Sequence, residues 1–145
     1  MSLKNFGGVL DYAIAMEKQD GGFIQQAMNN PDMQDCSELL QALAKENLKN
    51  AKNLARARQE NISEMILEPV QGLEEKSYQL SQPDAAGISR PEIMQLLQRM
   101  EERAQQFYTD AAEKIRPVSD VFSTFQKLAK KRKARIEKLN PVLEN

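Results

Sequence analysis

The sequence predicts an all-α protein: a single domain, residues 1–145, in which four helices form two hairpins joined by a long crossover. Three observations support this prediction. Apolar residues recur at spacings of three and four over most of the chain, as on one face of an amphipathic helix. No segment alternates between polar and apolar residues for long enough to be a strand. One pattern of residues also occurs twice, once in each half.

The repeated pattern spans a pair of helices in each half. The order Met-Glu, five residues, Phe, three residues, Ala begins at Met16 and again at Met100. A Leu-Ala-Lys run then begins at Leu43, 27 residues after Met16, and at Leu128, 28 residues after Met100. The matching separations indicate two copies of one helical hairpin.

The first helix is predicted at about residues 4–28. Its apolar stripe encloses one carboxylate and consists of Leu10, Ala13, Glu17, Ile24 and Ala27. Gly21 and Gly22 lie inside this helix, where each glycine costs about 1 kcal/mol relative to alanine. The pair indicates either a local bend or the close approach of a neighbouring helix, which a second subunit could also supply.

The second helix is predicted at about residues 36–67, after a turn at 29–32. Asp35 with Glu38 three residues later resembles a capping box at its start. Two amides stand among the apolar residues of its inner face, which consists of Leu40, Leu43, Asn47, Asn50, Leu54 and Ala57. The crossover, about residues 68–89, is predicted to hold a short helix around 73–80, and its length suits a connection that runs along the bundle.

The third helix, about residues 90–116, has the clearest signals. Ser89 and Glu92 form a capping box, and Pro91 suits the first turn. Pro117 ends the helix, because the residue before a proline avoids the helical conformation. Again one carboxylate interrupts the stripe, which consists of Met94, Leu97, Glu101, Ala104, Tyr108, Ala111 and Ile115.

The fourth helix, about residues 119–140, allows two inner faces, and Asn140–Pro141 is predicted to end it. One face joins two rows, Val118, Phe125, Arg132, Leu139 and Val121, Leu128, Arg135, Val142. The other face consists of Phe122, Ala129, Ile136, Leu143 with Phe125, Arg132, Leu139. Arg132 points inward in both arrangements, whereas Arg135 does so only in the first.

Composition excludes several classes of function. A formal net charge of −1 argues against a nucleic-acid-binding protein, and the lysines between 127 and 138 are typical of a solvated helix face. No apolar run approaches the ~20 residues that span a bilayer, so no membrane partner is expected. A single cysteine, Cys36, favours the reducing cytoplasm. Cys36 is not expected to be a catalytic thiol, because the chain contains no histidine that could act as its base.

The repeated glutamate and Leu-Ala-Lys motifs resemble those of rubrerythrin-type members of the ferritin-like superfamily. The resemblance implies a ferritin-like four-helix bundle with one carboxylate ligand each from the first and third helices, which fall on Glu17 and Glu101. It also implies a Glu and His ligand pair on each of the other two helices. Those pairs fall on Asn47 and Asn50 and on Arg132 and Arg135.

These replacements predict that the di-iron centre has been lost and that no cofactor binds. An amide carbonyl brings no charge, and a guanidinium cannot ligate a metal because it stays protonated. The six side chains instead suit an internal salt-bridge and hydrogen-bond network at the former metal site, formed by Glu17, Asn47, Asn50, Glu101, Arg132 and Arg135.

Other assignments of the same residues are weaker. Glu17 and Glu101 remain residual candidate metal ligands, and Asp20, Glu46 and Glu137 could supplement an oxygen-only Mn or Ca site. Glu46 and Glu137 lie off the inner stripe by helical geometry, which argues against that site. Tyr108 is expected to pack, with a hydrogen bond to the network as the alternative.

The first hypothesis for function is a cytoplasmic, non-catalytic structural or interaction module, a homodimer with an unknown protein partner. The alternative is a weak metal-binding oxidoreductase or metal-storage protein related to rubrerythrin, so enzymatic activity is left open. A third hypothesis, a basic helix that binds anionic partners, predicts steep dependence on salt.

Overall fold

The computed structural model describes residues 5–60, 70, 72–115 and 119–143, with the side chains of 119, 120 and 143 excepted. These ranges contain four α-helices and no β-strand, which confirms the all-α prediction. The helices are α1 (Phe6–Met28), α2 (Ser37–Glu60), α3 (Arg90–Lys114) and α4 (Ser119–Leu143). None of the helices in the described part combines the length and apolar character needed to cross a bilayer.

Helices α1 and α2 form an antiparallel hairpin. Asp11, near the start of α1, pairs with Arg58 near the end of α2 at 2.6 Å between Oδ1 and Nε. Glu17, further along α1, meets Asn47, which lies earlier in α2. Residues later in α1 therefore contact residues earlier in α2, as in an antiparallel pair of helices.

Helices α3 and α4 form the second antiparallel hairpin. Glu101 contacts Arg132, and the later Tyr108 contacts the earlier Phe125, with ring centroids 5.5 Å apart. The two hairpins also meet each other, α1 against α3 and α2 against α4. Each helix therefore presents one inner face to the centre of the bundle.

The first hairpin begins and turns with side-chain caps. The Asn5 side chain accepts a hydrogen bond from the Gly8 amide and starts α1, close to the predicted residue 4. A six-residue 3₁₀ helix, Pro31–Cys36, precedes α2 and is capped by Asn30, whose side chain accepts a hydrogen bond from the Asp32 amide. Helix α2 begins at Ser37, close to the predicted residue 36, but the predicted capping role of Asp35 is wrong, because Asp35 lies within this 3₁₀ helix and its carboxylate pairs with Arg90 of α3. The predicted end of the second helix, 61–67, lies outside the described residues.

The second hairpin follows the predicted start but not the predicted end. Ser89 caps α3 by accepting from the Glu92 amide, with a proline in the first turn. Helix α3 ends at Lys114, and the predicted end at 116 lies outside the described residues. Helix α4 does not stop at Asn140–Pro141 but continues to Leu143. A proline here removes only one hydrogen bond, to the carbonyl four residues earlier, and the last turn survives that loss.

The described part of the crossover runs from one end of the bundle to the other. Instead of a helix around 73–80 it holds two 3₁₀ turns, Glu75–Ser77 and Ala85–Gly87. The buried side chains of Leu73 and Tyr78 pack in one apolar cluster, while Ala85 packs in the other. Asn30 holds the far end, since its amide donates to the carbonyls of Ala85 and Ile88 at 2.9 Å each.

The apolar core is divided into two clusters. The first is rich in aromatic rings, which include Phe6, Tyr78, Phe107, Tyr108 and Phe125. The second is mostly aliphatic and includes Met33, Leu40, Leu43, Ile93, Leu97, Met100 and Leu139. Buried polar side chains from all four helices belong to neither cluster. Together with Tyr108, whose ring belongs to the first cluster, they form the candidate site.

Candidate functional site

The candidate site is a group of buried polar and charged side chains at the centre of the bundle. All six residues placed there by sequence are at most 1% exposed, and Asp20 and Tyr108 are fully buried beside them. This group, the polar core, consists of Glu17, Asp20, Asn47, Asn50, Glu101, Tyr108, Arg132 and Arg135. Buried charges are unfavourable unless they are paired, so the contacts within the group determine what it can do.

The guanidinium of Arg132 joins carboxylates from two helices. Its Nη1 donates to Glu101 Oε2 of α3 at 2.8 Å. Its Nη2 donates to Glu17 Oε2 at 2.7 Å and to Asp20 Oδ2 at 3.0 Å, both on α1. Burial by itself lowers the pKa of Arg132, but Glu101, Glu17 and Asp20 outweigh burial and raise it well above its ordinary value. Arg132 is therefore a fixed cation at the centre of three carboxylates.

Arg135 makes the corresponding contacts on the other side of Glu101. Its Nη2 lies 2.8 Å from Glu101 Oε1, an ion pair that is close but not aligned as a hydrogen bond. The same nitrogen donates to Asn47 Oδ1 at 2.9 Å. At the edge of the group, Nη1 lies 3.5 Å from Oε1 of the half-buried Glu46.

These contacts close a ring through all four helices. Asn47 of α2 accepts from Arg135 through its oxygen and donates to Glu17 Oε1 of α1 through its nitrogen, at 2.9 Å. Arg135 and Arg132 of α4 both contact Glu101 of α3, and Arg132 returns to Glu17. The ring fixes the orientation of the Asn47 amide, because each end faces a partner of defined charge.

Glu17 is the most heavily hydrogen-bonded carboxylate of the ring. Besides Arg132 and Asn47, it accepts from Asn50 Nδ2 at 3.2 Å and from Tyr108 Oη at 2.6 Å. Burial alone raises the pKa of Glu17, but Arg132 and the Tyr108 hydrogen bond outweigh burial and leave the pKa lowered. Glu17 is therefore held as an anion.

Tyr108 combines two roles that the sequence offered as alternatives. Its ring packs against Phe107 and Phe125, and its hydroxyl donates to Glu17. Burial and the negative charge of Glu17 raise the pKa of the phenol well above its ordinary value, so Tyr108 stays protonated as a donor.

Asp20 is a member that sequence reasoning assigned only to a weak metal site. It lies three residues after Glu17, on the same face of α1, so helical spacing alone could have placed it in the polar core. Its Oδ1 pairs with Nη2 of Arg103 at 2.5 Å and accepts from Gln82 at 2.9 Å.

Arg103 and Gln82 carry no comparable signal in the sequence. Arg103 is 10% exposed and reaches the site from the flank of α3, outside the stripe that contains Glu101. Gln82 belongs to the crossover, which has no helical period. Together they tie Asp20 to the second hairpin and to the crossover.

The structure also decides between the two inner faces of α4. Val121, Leu128 and Arg135 are buried, whereas Phe122 and Ile136 are only half-buried, so the first face points inward. Arg135 therefore joins the polar core. Glu137 is exposed and takes no part in it.

The donor set does not fit a di-iron centre. The carboxylates of Glu17 and Glu101, which the resemblance assigns to iron, are bridged by the guanidinium of Arg132. Within the described ranges, no three His, Cys, Asp or Glu side chains are grouped so that they could hold a metal ion. Three carboxylates, those of Glu17, Asp20 and Glu101, are already balanced in charge by three guanidiniums. These belong to Arg103, Arg132 and Arg135. A divalent cation would add uncompensated positive charge beside them.

Comparison with known proteins supplies no relative for this chain. No protein-family model, no curated protein and no solved structure matches it.

Proposed function

We propose that this protein is a ferritin-like helical bundle that has lost its di-iron centre and acts as a non-catalytic structural or interaction module. One observation carries the proposal: the Arg132 guanidinium lies between Glu17 and Glu101, the two carboxylates that the resemblance assigns to iron. A guanidinium there supplies the positive charge that the carboxylates need, but it provides neither a Lewis acid nor a redox couple.

The hydrogen-bond pattern supports a structural role for the polar core. Tyr108 stays protonated because burial and the charge of Glu17 raise the pKa of its phenol, and Glu17 stays ionised because Arg132 and the Tyr108 hydrogen bond outweigh burial and lower the pKa of its carboxyl group. A general acid or base works best with a pKa near the operating pH. These two groups therefore stabilise the fold rather than exchange protons.

The homodimer and the cytoplasmic location belong to the same proposal. Leu48, 53% exposed on the outer face of α2, would be covered by a second copy packed against that face. The buried Cys36 thiol suits a reducing compartment. Sedimentation velocity over a range of protein concentrations tests the dimer, and a monomer at every concentration would contradict it.

Metal loading tests the central claim. The wild-type protein, incubated anaerobically with excess Fe(II) or Mn(II) and then desalted, should retain well below one metal per chain by elemental analysis. Stoichiometric metal would overturn the proposal and favour the metal-binding oxidoreductase or storage protein. A variant carrying Asn47→Glu, Asn50→His, Arg132→Glu and Arg135→His provides the matched control, because it restores the ligand set that the resemblance implies. It should retain metal if it folds, as circular dichroism would show.

A further inference from the structure

A groove between α2 and α4 lies on the surface near the polar core. Its volume is about 280 Å³, and its lining includes Asn50, Asn53 and Ala57 of α2 and Thr124, Lys127 and Lys131 of α4. Each helix contributes residues three, four and seven apart, which helical geometry places on one face. The groove is therefore formed where the two hairpins meet, and it does not depend on a single loop.

The charged side chains of the groove are mainly cationic. Arg56, Lys127 and Lys131 are positive and Glu60 is negative, so the lining carries two excess positive charges. This is unlike the chain as a whole, whose formal net charge is −1. A local excess of cations in a concave surface raises the local concentration of anions.

The remaining lining combines polar groups with a small apolar surface. Asn53 offers amide donors, and the buried Leu128 with the half-buried Ala57 adds apolar contact area. The volume lies just below the ~300–1,000 Å³ of sites for drug-sized ligands, so a small molecule fits better than a large one. The groove has room for an anionic group attached to a short organic body.

Asn50 connects the groove to the polar core. This residue is 1% exposed, lines the groove and donates to Glu17 through Nδ2. Its Oδ1 is buried and has no hydrogen-bond partner among the residues that the structure describes. An unsatisfied buried acceptor is unfavourable, and a ligand hydroxyl or a water at the base of the groove would relieve it.

We propose that this groove binds a small phosphorylated molecule. A phosphomonoester carries about −1.5 to −2 charges at pH 7, which matches the excess charge of the lining, whereas a single carboxylate would neutralise only half of it. Lys127 and Lys131, one helical turn apart on α4, hold the phosphate together with Arg56 from α2. The organic part lies against Leu128 and Ala57. This inference is independent of whether the bundle once held iron.

The test is a calorimetric or NMR titration of the full chain at constant ionic strength. The probes are inorganic phosphate, glycerol phosphate, sulfate and a short single-stranded oligonucleotide. Glycerol phosphate should bind most tightly, because only it combines a phosphomonoester with an organic body small enough for the groove. Tighter binding of inorganic phosphate than of glycerol phosphate would overturn the part of the proposal that concerns the organic body.

Two charge-matched variants make the test specific. Lys127→Gln with Lys131→Gln removes two cations of the groove and should weaken glycerol phosphate binding by about ten-fold or more. Lys130→Gln with Lys133→Gln removes two exposed cations of the same helix outside the groove and should change it by less than about two-fold.

Equal losses in the two variants, or equal binding of sulfate and glycerol phosphate, would reduce the site to general charge attraction and overturn the proposal. Absence of binding would do the same. Tightest binding of the oligonucleotide, weakened by both variants, would overturn it in favour of a nucleic-acid surface along α4.

Discussion

The two hairpins present different chemistry at equivalent positions. At the positions where α2 carries Asn47 and Asn50, α4 carries Arg132 and Arg135, although both hairpins place a glutamate on the facing helix. The first hairpin therefore buries two carboxylates, Glu17 and Asp20, with amides but no cation of its own. The second buries more guanidiniums than carboxylates. Each hairpin by itself is electrically unbalanced, and the balance is reached only when the two pack together.

This difference indicates how the polar core contributes to the fold. Buried ion pairs add little net stability over apolar packing, but removal of one partner leaves an uncompensated charge. We infer that the complementary charges specify the association of the two hairpins, and the following predictions test the comparison.

The largest effect is expected at Arg132. Arg132→Leu leaves the carboxylates of Glu17 and Glu101 without their shared partner and should lower the free energy of unfolding by about 3–5 kcal/mol. The equivalent change in the first hairpin, Asn47→Leu, removes a neutral amide and should lower it by only about 1–3 kcal/mol. Urea unfolding at pH 7 measures both.

A double variant distinguishes charge pairing from simple packing at this position. Arg132→Leu combined with Glu101→Leu should be less destabilised than the sum of the two single changes, because the orphaned charge is removed with its partner. Additive losses would contradict the pairing, as would equal losses for Arg132→Leu and Asn47→Leu.

A smaller effect is expected from acid. The folded state lowers the pKa of Glu17 below its ordinary value of 4.5, so its contribution is complete above that pH and is lost as the pH falls through the folded-state pKa. The free energy of unfolding should therefore decline below about pH 4.5. Glu17→Gln should be less stable than wild type at pH 7 but should decline less in acid. Parallel stability profiles for the two proteins, measured by urea unfolding from pH 3 to 7, would show that Glu17 does not titrate in this way.

The smallest effect separates the two glycines of α1. A Cβ at Gly21 would lie 3.2 Å from Asn47 Cβ, whereas a Cβ at Gly22 would have no described atom within 4 Å. Gly22→Ala should raise the free energy of unfolding by about 1 kcal/mol through helix propensity. Gly21→Ala should lose that gain, because Asn47 is held by Glu17 and Arg135 and cannot move aside freely. Thermal unfolding compares the pair, and an equal gain at both sites would show that α1 and α2 are not in close contact there.

The structure accounts for only one glycine of this pair. Of the two readings of Gly21–Gly22, close approach applies to Gly21, and the approaching helix is α2 of the same chain. The structure gives no corresponding reason for Gly22.

Several features of the fold and the site were predictable because they depend on local sequence. Helical periodicity, the Ser89 capping box and the predicted turn at 29–32 place the starts of the four helices within a few residues of those observed. Residues that share a stripe on one helix also share its buried face, which is why the sequence predicts that the six polar positions lie inside the bundle. The same rule applies to Asp20, which stands three residues from Glu17 and was not assigned to this group.

Other members of the site depend on contacts that the sequence does not encode locally. Gln82 reaches Asp20 from an irregular segment, and Arg103 does so from the flank of a helix, so neither has a period that would identify it. Two faces of α4 had equal apolar content, and only packing against the other helices decided that Arg135 points inward. Helix α4 also continues past Pro141 to Leu143, because the proline removes only one backbone hydrogen bond from the last turn.

The amino-acid sequence by itself determined that this chain forms helices, that they pair as two similar hairpins, and that histidine ligands are absent. Those properties follow from spacing and composition, which act within a few residues along the chain. Only the tertiary structure decided which carboxylate each guanidinium contacts, how three anions and three cations balance, and that α2 and α4 form a cationic groove. These depend on distances between residues far apart in sequence, and electrostatic energy depends on those distances rather than on sequence order.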